Sequence, residues 1–147
     1  MQVTASRAIL FLWELPQNVL GAVNFALTFA RRKVRRARIE RERVMVEIEP
    51  GANAVSLGLF VFWSPHDNPW VPVGPENRDH EYGHSIQSRW LGPLYLPLVG
   101  VPSTARVLYA VAHKTITRRR WGGYYAGYPE NWADRLGGAD VSRRPPP

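Results

Sequence analysis

The sequence predicts an α+β fold, with a small β-hairpin or sheet packed on two helices and further apolar helices beside them. Three observations predict it. Val44 to Glu49 alternates as a strand does (VMVEIE), and Ala54 to Trp63 is rich in β-forming residues. A polar segment with helical spacing starts near Glu76, after a proline-rich loop. Two long apolar stretches flank these parts, Ala8 to Ala30 and Leu94 to Ala112. At 147 residues the chain suits one domain with a real core.

Ala8 to Ala30 is long enough, at about 1.5 Å per residue, to cross a hydrocarbon layer of roughly 30 Å. Glu14, Pro16, Gln17, Asn18 and Asn24 interrupt it. Each polar group would cost free energy in lipid, so the stretch is expected either to turn them toward protein or headgroups, or to lie in plane as an amphipathic helix. Arg31 to Arg43 follows at once, with 8 positive charges against Glu40 and Glu42. The bland expectation for this run is a solvated helix face. Its apolar neighbour favours anchoring to anionic lipid, with the basic flank cytoplasmic.

Pro50, Gly51 and Asn53 separate the two strand-like runs, so a hairpin over residues 44–63 is expected. Ser64 to Pro75 holds 4 prolines and reads as a loop. Leu94 to Ala112 is broken by Pro97, Gly100 and Pro102 and contains Arg106, which suits a re-entrant or buried pair better than a simple span. Ala139 to Pro147 lacks apolar content and is expected to be disordered. The expected organisation is therefore a membrane-associated helix with its basic flank (1–43), a core (44–138) and a tail (139–147).

The net charge of +7 points to an anionic partner. With no cysteine, disulfides, thiolate metal sites and cysteine nucleophiles are excluded. Any metal must bind through His, Asp or Glu.

His80, Glu81, Tyr82, Gly83 and His84 form H-E-x-x-H. On a helix, residues 4 apart share a face, so both imidazoles can reach one Zn²⁺ while Glu81 stands beside the water that such an ion activates. A catalytic zinc site needs a third protein ligand. The positions a metzincin would fill with Gly and His are Gln87 and Trp90, which excludes that class. Glu130 and Asp134, in Tyr-Pro-Glu-Asn-Trp-Ala-Asp, match a gluzincin arrangement. Pro129 can occupy the first turn of a short helix that Gly137 and Gly138 stop, and Glu130 and Asp134 then share a face. Glu130 can ligate the ion, and Asp134 can accept the distal N–H of a ligating His. Without the histidine motif, the same residues would be an ordinary amphipathic helix. Gln87 and Ser88 are expected to satisfy backbone or neighbouring polar groups. His66 and His113 are expected at the surface, His113 being the rival third ligand.

These residues, together with WELPQNVLG at 13–21, AVSLGL at 54–59, HEYGHSIQSRWLGPLYLPLVGVPS at 80–103 and ENWADRLGG at 130–138, resemble a family of small bacterial membrane-associated metallopeptidases. The resemblance covers most of the chain. The wider likeness to gluzincins is confined to His80, Glu81, His84, Glu130 and Asp134. It implies a minimal gluzincin-like fold in a protein of the bacterial inner membrane. It also implies Zn²⁺ held by His80, His84 and Glu130, with Glu81 as general base in peptide-bond hydrolysis. Gluzincins add a Tyr or His that stabilises the oxyanion. No motif marks it here, so Tyr124, Tyr125 and Tyr128 are positional candidates. The expected partners are a peptide or protein substrate and anionic lipid, with nucleic acid disfavoured. The leading alternative is a membrane protein in which zinc serves structure or partner binding. A basic nucleic-acid-binding protein built on Arg31 to Arg43 is the third.

Overall fold

A computed structural model describes residues 2–147, with side chains described from residue 7 onward. Helix α1 (Gln2–Trp13) and helix α2 (Leu15–Ala30) lead into a four-stranded sheet: β1 (Val34–Glu40), β2 (Arg43–Ile48), β3 (Val55–Leu57) and β4 (Phe60–Trp63). Helix α3 (Asn77–Leu91) follows the proline loop. Short 3-10 and π turns over Gly92–Leu94 and Leu96–Gly100 then feed α4 (Val101–Thr117), and α5 (Glu130–Gly137) comes last before a final 3-10 turn, Val141–Arg143. The α+β class is as the sequence predicts.

The strand pairing differs from the expected hairpin. The sheet order is β1-β2-β4-β3, so β2 lies parallel to β4, and the two hairpins are β1–β2 and β3–β4. The basic run is mostly strand rather than helix. β1 turns into β2 through Arg41 and Glu42, both at positive φ (49° and 60°), which matches the twist a tight hairpin needs. β1 is an exposed edge strand whose charges pair across it: Arg35 with Glu47 and Glu49, and Glu40 with Arg78. Charge density masked a strand whose register is set by its neighbour. The sheet therefore spans residue 43, where the expected junction between flank and core fell.

Strand alternation gives the sheet two buried faces. Phe60 and Phe62 face α2, where the Phe25 ring lies 5.9 Å from that of Phe60, and Val46, Ile48 and Phe62 are fully buried. Val61 and Met45 are buried on the opposite face, and there Arg78 of α3 lies over Trp63. Gly21 permits the close packing of α2, since a Cβ there would sit 2.6 Å from the Leu57 carbonyl oxygen.

Three of the polar residues that interrupt the first apolar stretch, Glu14, Gln17 and Asn18, dock it. Arg43 donates to Glu14 at 2.9 Å, and both are buried, at 2 % and 1 % exposure. Ser88 donates to the other Glu14 oxygen, and Gln17 donates to the Gly92 carbonyl. Asn18 accepts from the Leu59 N–H and donates to the Phe11 carbonyl. A buried pair without such partners would be costly. Among the described residues, no helix is long and apolar enough to cross a membrane.

Candidate metal centre

Two helices build the site. Gly92, at φ 52°, ends α3, and Asp79 lies in its first turn. Pro129 caps α5 rather than entering it, and Gly138, in the left-handed region at φ 69°, ends it. α3 and α5 touch along their backbones. A Cβ on Gly83 would lie 1.9 Å from the Ala133 carbonyl oxygen, and one on Gly137 would lie 1.8 Å from that of Asp79. Glycine at both positions permits this approach, which carries Glu130 onto the two histidines.

His80, His84 and Glu130 are all buried, and one ligand atom from each lies within 4.8 Å of the others. Glu130 Oε2 is 3.1 Å from His80 Nε2 and 3.2 Å from His84 Nε2. These separations are close to the roughly 3.3 Å between neighbouring donors around a tetrahedral zinc with bonds of about 2.0–2.1 Å. His113, the rival ligand, lies elsewhere, half-buried beside the Arg119 carbonyl.

The hydrogen bonds behind the ligands settle the chemistry of the donor set. Gln87 Nε2 donates to the Pro129 carbonyl, which leaves Gln87 Oε1 as the acceptor facing His84 Nδ1 at 2.7 Å. His84 therefore carries its proton on Nδ1, and its Nε2 lone pair faces a carboxylate oxygen. Two acceptors at 3.2 Å repel unless a cation or an added proton lies between them. The residues thus fit a divalent metal.

His80 Nδ1 pairs with Asp134 Oδ1 at 2.7 Å. Burial opposes the charge of this ring, but Asp134 and Glu130 outweigh it and raise its pKa to about 10. A metal ion held at His80 Nε2 would compete with a proton there. Burial works against the Glu130 carboxylate as well, yet the two histidines hold its pKa far below the usual range. Ser103 donates to Glu130 Oε1 at 2.6 Å, occupying the oxygen turned away from the histidines.

Arg144, in the C-terminal segment, reaches the site. It binds both Asp134 oxygens, at 3.2 and 2.9 Å, and Glu76 at 3.0 Å, and it lies over the Tyr125 ring. This partly buried charge network ties Arg144 to α5 and to the start of α3. Sequence pattern carried no signal for Arg144, and Ser103 closes the 80–103 stretch of the resemblance without a role assigned to it. The Asp134→Asn protein is expected to bind zinc about 10- to 100-fold more weakly. Competition with a chelating indicator measures this, and an unchanged affinity would refute the role of Asp134.

Glu81 is buried and lines a cleft shared with His84 and Glu130. Burial raises its pKa despite the neighbouring histidines, which suits a group that must both take and return a proton. Asn77 lies 3.5 Å from its Oε1.

The three tyrosines separate. Tyr124 is buried and lines the same cleft. Tyr125 packs its edge on His80, with ring centroids 5.1 Å apart, beneath Arg144. Tyr128 is exposed, donating to the Leu98 carbonyl at 2.5 Å. Burial pushes the Tyr124 hydroxyl well above its ordinary pKa, so it remains a proton donor. Comparison with family models, with curated proteins and with solved structures finds no match for this chain.

Proposed function

We propose that the chain is a zinc-dependent peptidase of the gluzincin type, acting at or near a membrane. The observation that supports this most is the meeting of both histidine Nε2 atoms on one Glu130 oxygen, with Glu81 in the adjoining cleft. His80, His84 and Glu130 would hold the ion. A zinc ion there supplies Lewis-acid polarisation of a carbonyl and acidifies water.

Glu81 takes the proton of the attacking water and passes it to the leaving amine. Tyr124, held protonated, donates toward the oxygen on which charge develops. Asp134 and Gln87 hold the two rings in the orientation that turns both Nε2 atoms to the ion.

The purified chain is expected to hydrolyse a mixed peptide library, to stop on treatment with a chelator and to resume with zinc. The Glu130→Ala protein should lose stoichiometric zinc. Zinc uptake without hydrolysis of any peptide would favour the structural-zinc alternative.

Exposed apolar side chains support the lipid part of this reading. Leu12, Leu20, Val23, Leu27 and Phe29 on α1 and α2 are 46–66 % exposed, and Arg31, Arg32 and Lys33 follow them. Such a helix with a basic end suits peripheral, in-plane binding. The chain is expected to co-sediment with phosphatidylserine vesicles and not with phosphatidylcholine vesicles, less so as salt rises. Equal recovery from both, or from neither, would oppose it.

A further inference from the structure

The cleft beside the metal centre has a volume of about 660 Å³, within the roughly 300–1,000 Å³ range of ligand sites. Its charged groups, Glu81, His84 and Glu130, belong to the centre itself. The remaining wall is mostly apolar, with Leu57 of β3, Leu96 of the π turn, and Val101, Val107 and Leu108 of α4, and its polar members, such as Asn53, Ser56 and Thr104, carry no charge. No Lys or Arg lines it. A charged guest would lose its water there and find no counter-charge beyond the centre, whereas an aliphatic or aromatic one would exchange water for apolar contact.

A second observation concerns Ser56, on the edge strand β3. The residue lines the same cleft, and its hydroxyl is buried with no hydrogen-bond partner among the described residues. The Ser56 carbonyl is taken by the Tyr95 hydroxyl at 2.9 Å. Pairing of an incoming chain with this edge is therefore blocked at that carbonyl, while the hydroxyl is left wanting a partner. The backbone of an extended peptide supplies one.

We infer that this cleft is the specificity site, receiving one bulky aliphatic or aromatic side chain of an extended peptide whose backbone is held at the Ser56 hydroxyl. The inference deepens the peptidase reading and rests on it for the choice of a peptide as guest.

The test uses the full chain as the zinc-loaded Glu81→Gln protein, so that binding is read without turnover. Labelled blocked peptides differ only in one residue, Leu, Phe, Ala, Asp or Lys, placed at each position in turn. At one position Leu and Phe should bind roughly 10- to 100-fold tighter than Asp or Lys. Adding Leu108→Asp should remove that preference with zinc content unchanged, Val107→Asp serving if the first fails to fold. Adding Ser56→Ala should weaken all the peptides alike by a few-fold. Equal affinity for all five residues, a preference for charge, or a preference that survives both aspartate substitutions would overturn the inference. Should the preference hold while the parent chain hydrolyses none of these peptides, the cleft assignment stands and the peptidase reading falls.

Discussion

The Glu81→Gln protein is expected to take up zinc as the parent does and to hydrolyse peptides about 10²- to 10⁴-fold more slowly. Glu81 follows His80 on α3 but is not among the three residues whose ligand atoms cluster, so its loss leaves the donor set whole. The amide keeps the shape of the side chain and one acceptor oxygen, and it loses the capacity to hold a proton. A fall in kcat at constant zinc content is the signature of a proton carrier. A fall in zinc content would instead make Glu81 part of the binding set. Turnover at the parental rate would remove the residue from the mechanism.

The second large effect concerns a residue that bears no chemistry. Gly83→Ala places a methyl group 1.9 Å from the Ala133 carbonyl oxygen and 2.7 Å from its carbon. Both atoms are backbone, so no side-chain rotation relieves the clash and α3 must move from α5. Overpacking of this kind costs about 3 kcal/mol, a fall in Tm on the order of 10 °C for a chain of this length. Zinc affinity should fall with it, because Glu130 travels with α5 while His80 and His84 stay on α3. Gly137→Ala, against the Asp79 carbonyl, should act in the same direction. A Gly83→Ala protein with parental melting and parental zinc affinity would show that this helix contact does not position the carboxylate.

These two predictions divide what the chain discloses locally from what it does not. The spacing of His80, Glu81 and His84 needs only helical periodicity to place them together, and Pro129 with Gly138 delimits the helix of Glu130 and Asp134. The two tyrosines nearest the centre were nominated by position, but their opposite surroundings were set by packing: Tyr124 lines the cleft, and Tyr125 lies between His80 and Arg144. Gln87 was expected to satisfy a neighbouring polar group. Its partners, His84 and the Pro129 carbonyl, determine a tautomer, and they come from α3 and from the cap of α5.

The amino-acid sequence by itself determined the α+β class, the start of the histidine helix and the ligand types available. Helices and turns are encoded within a few residues, and cysteine was absent. Only the tertiary structure decided that β2 pairs with β4 in parallel, that the basic run contains an edge strand, and that Glu14, Gln17 and Asn18 dock an apolar helix on α3 and the sheet. It also brought Arg144 from the tail to Asp134 and Glu76. Each of these depends on a partner far along the chain, and the gain from pairing a buried charge or strand edge is not written in the periodicity of either segment alone.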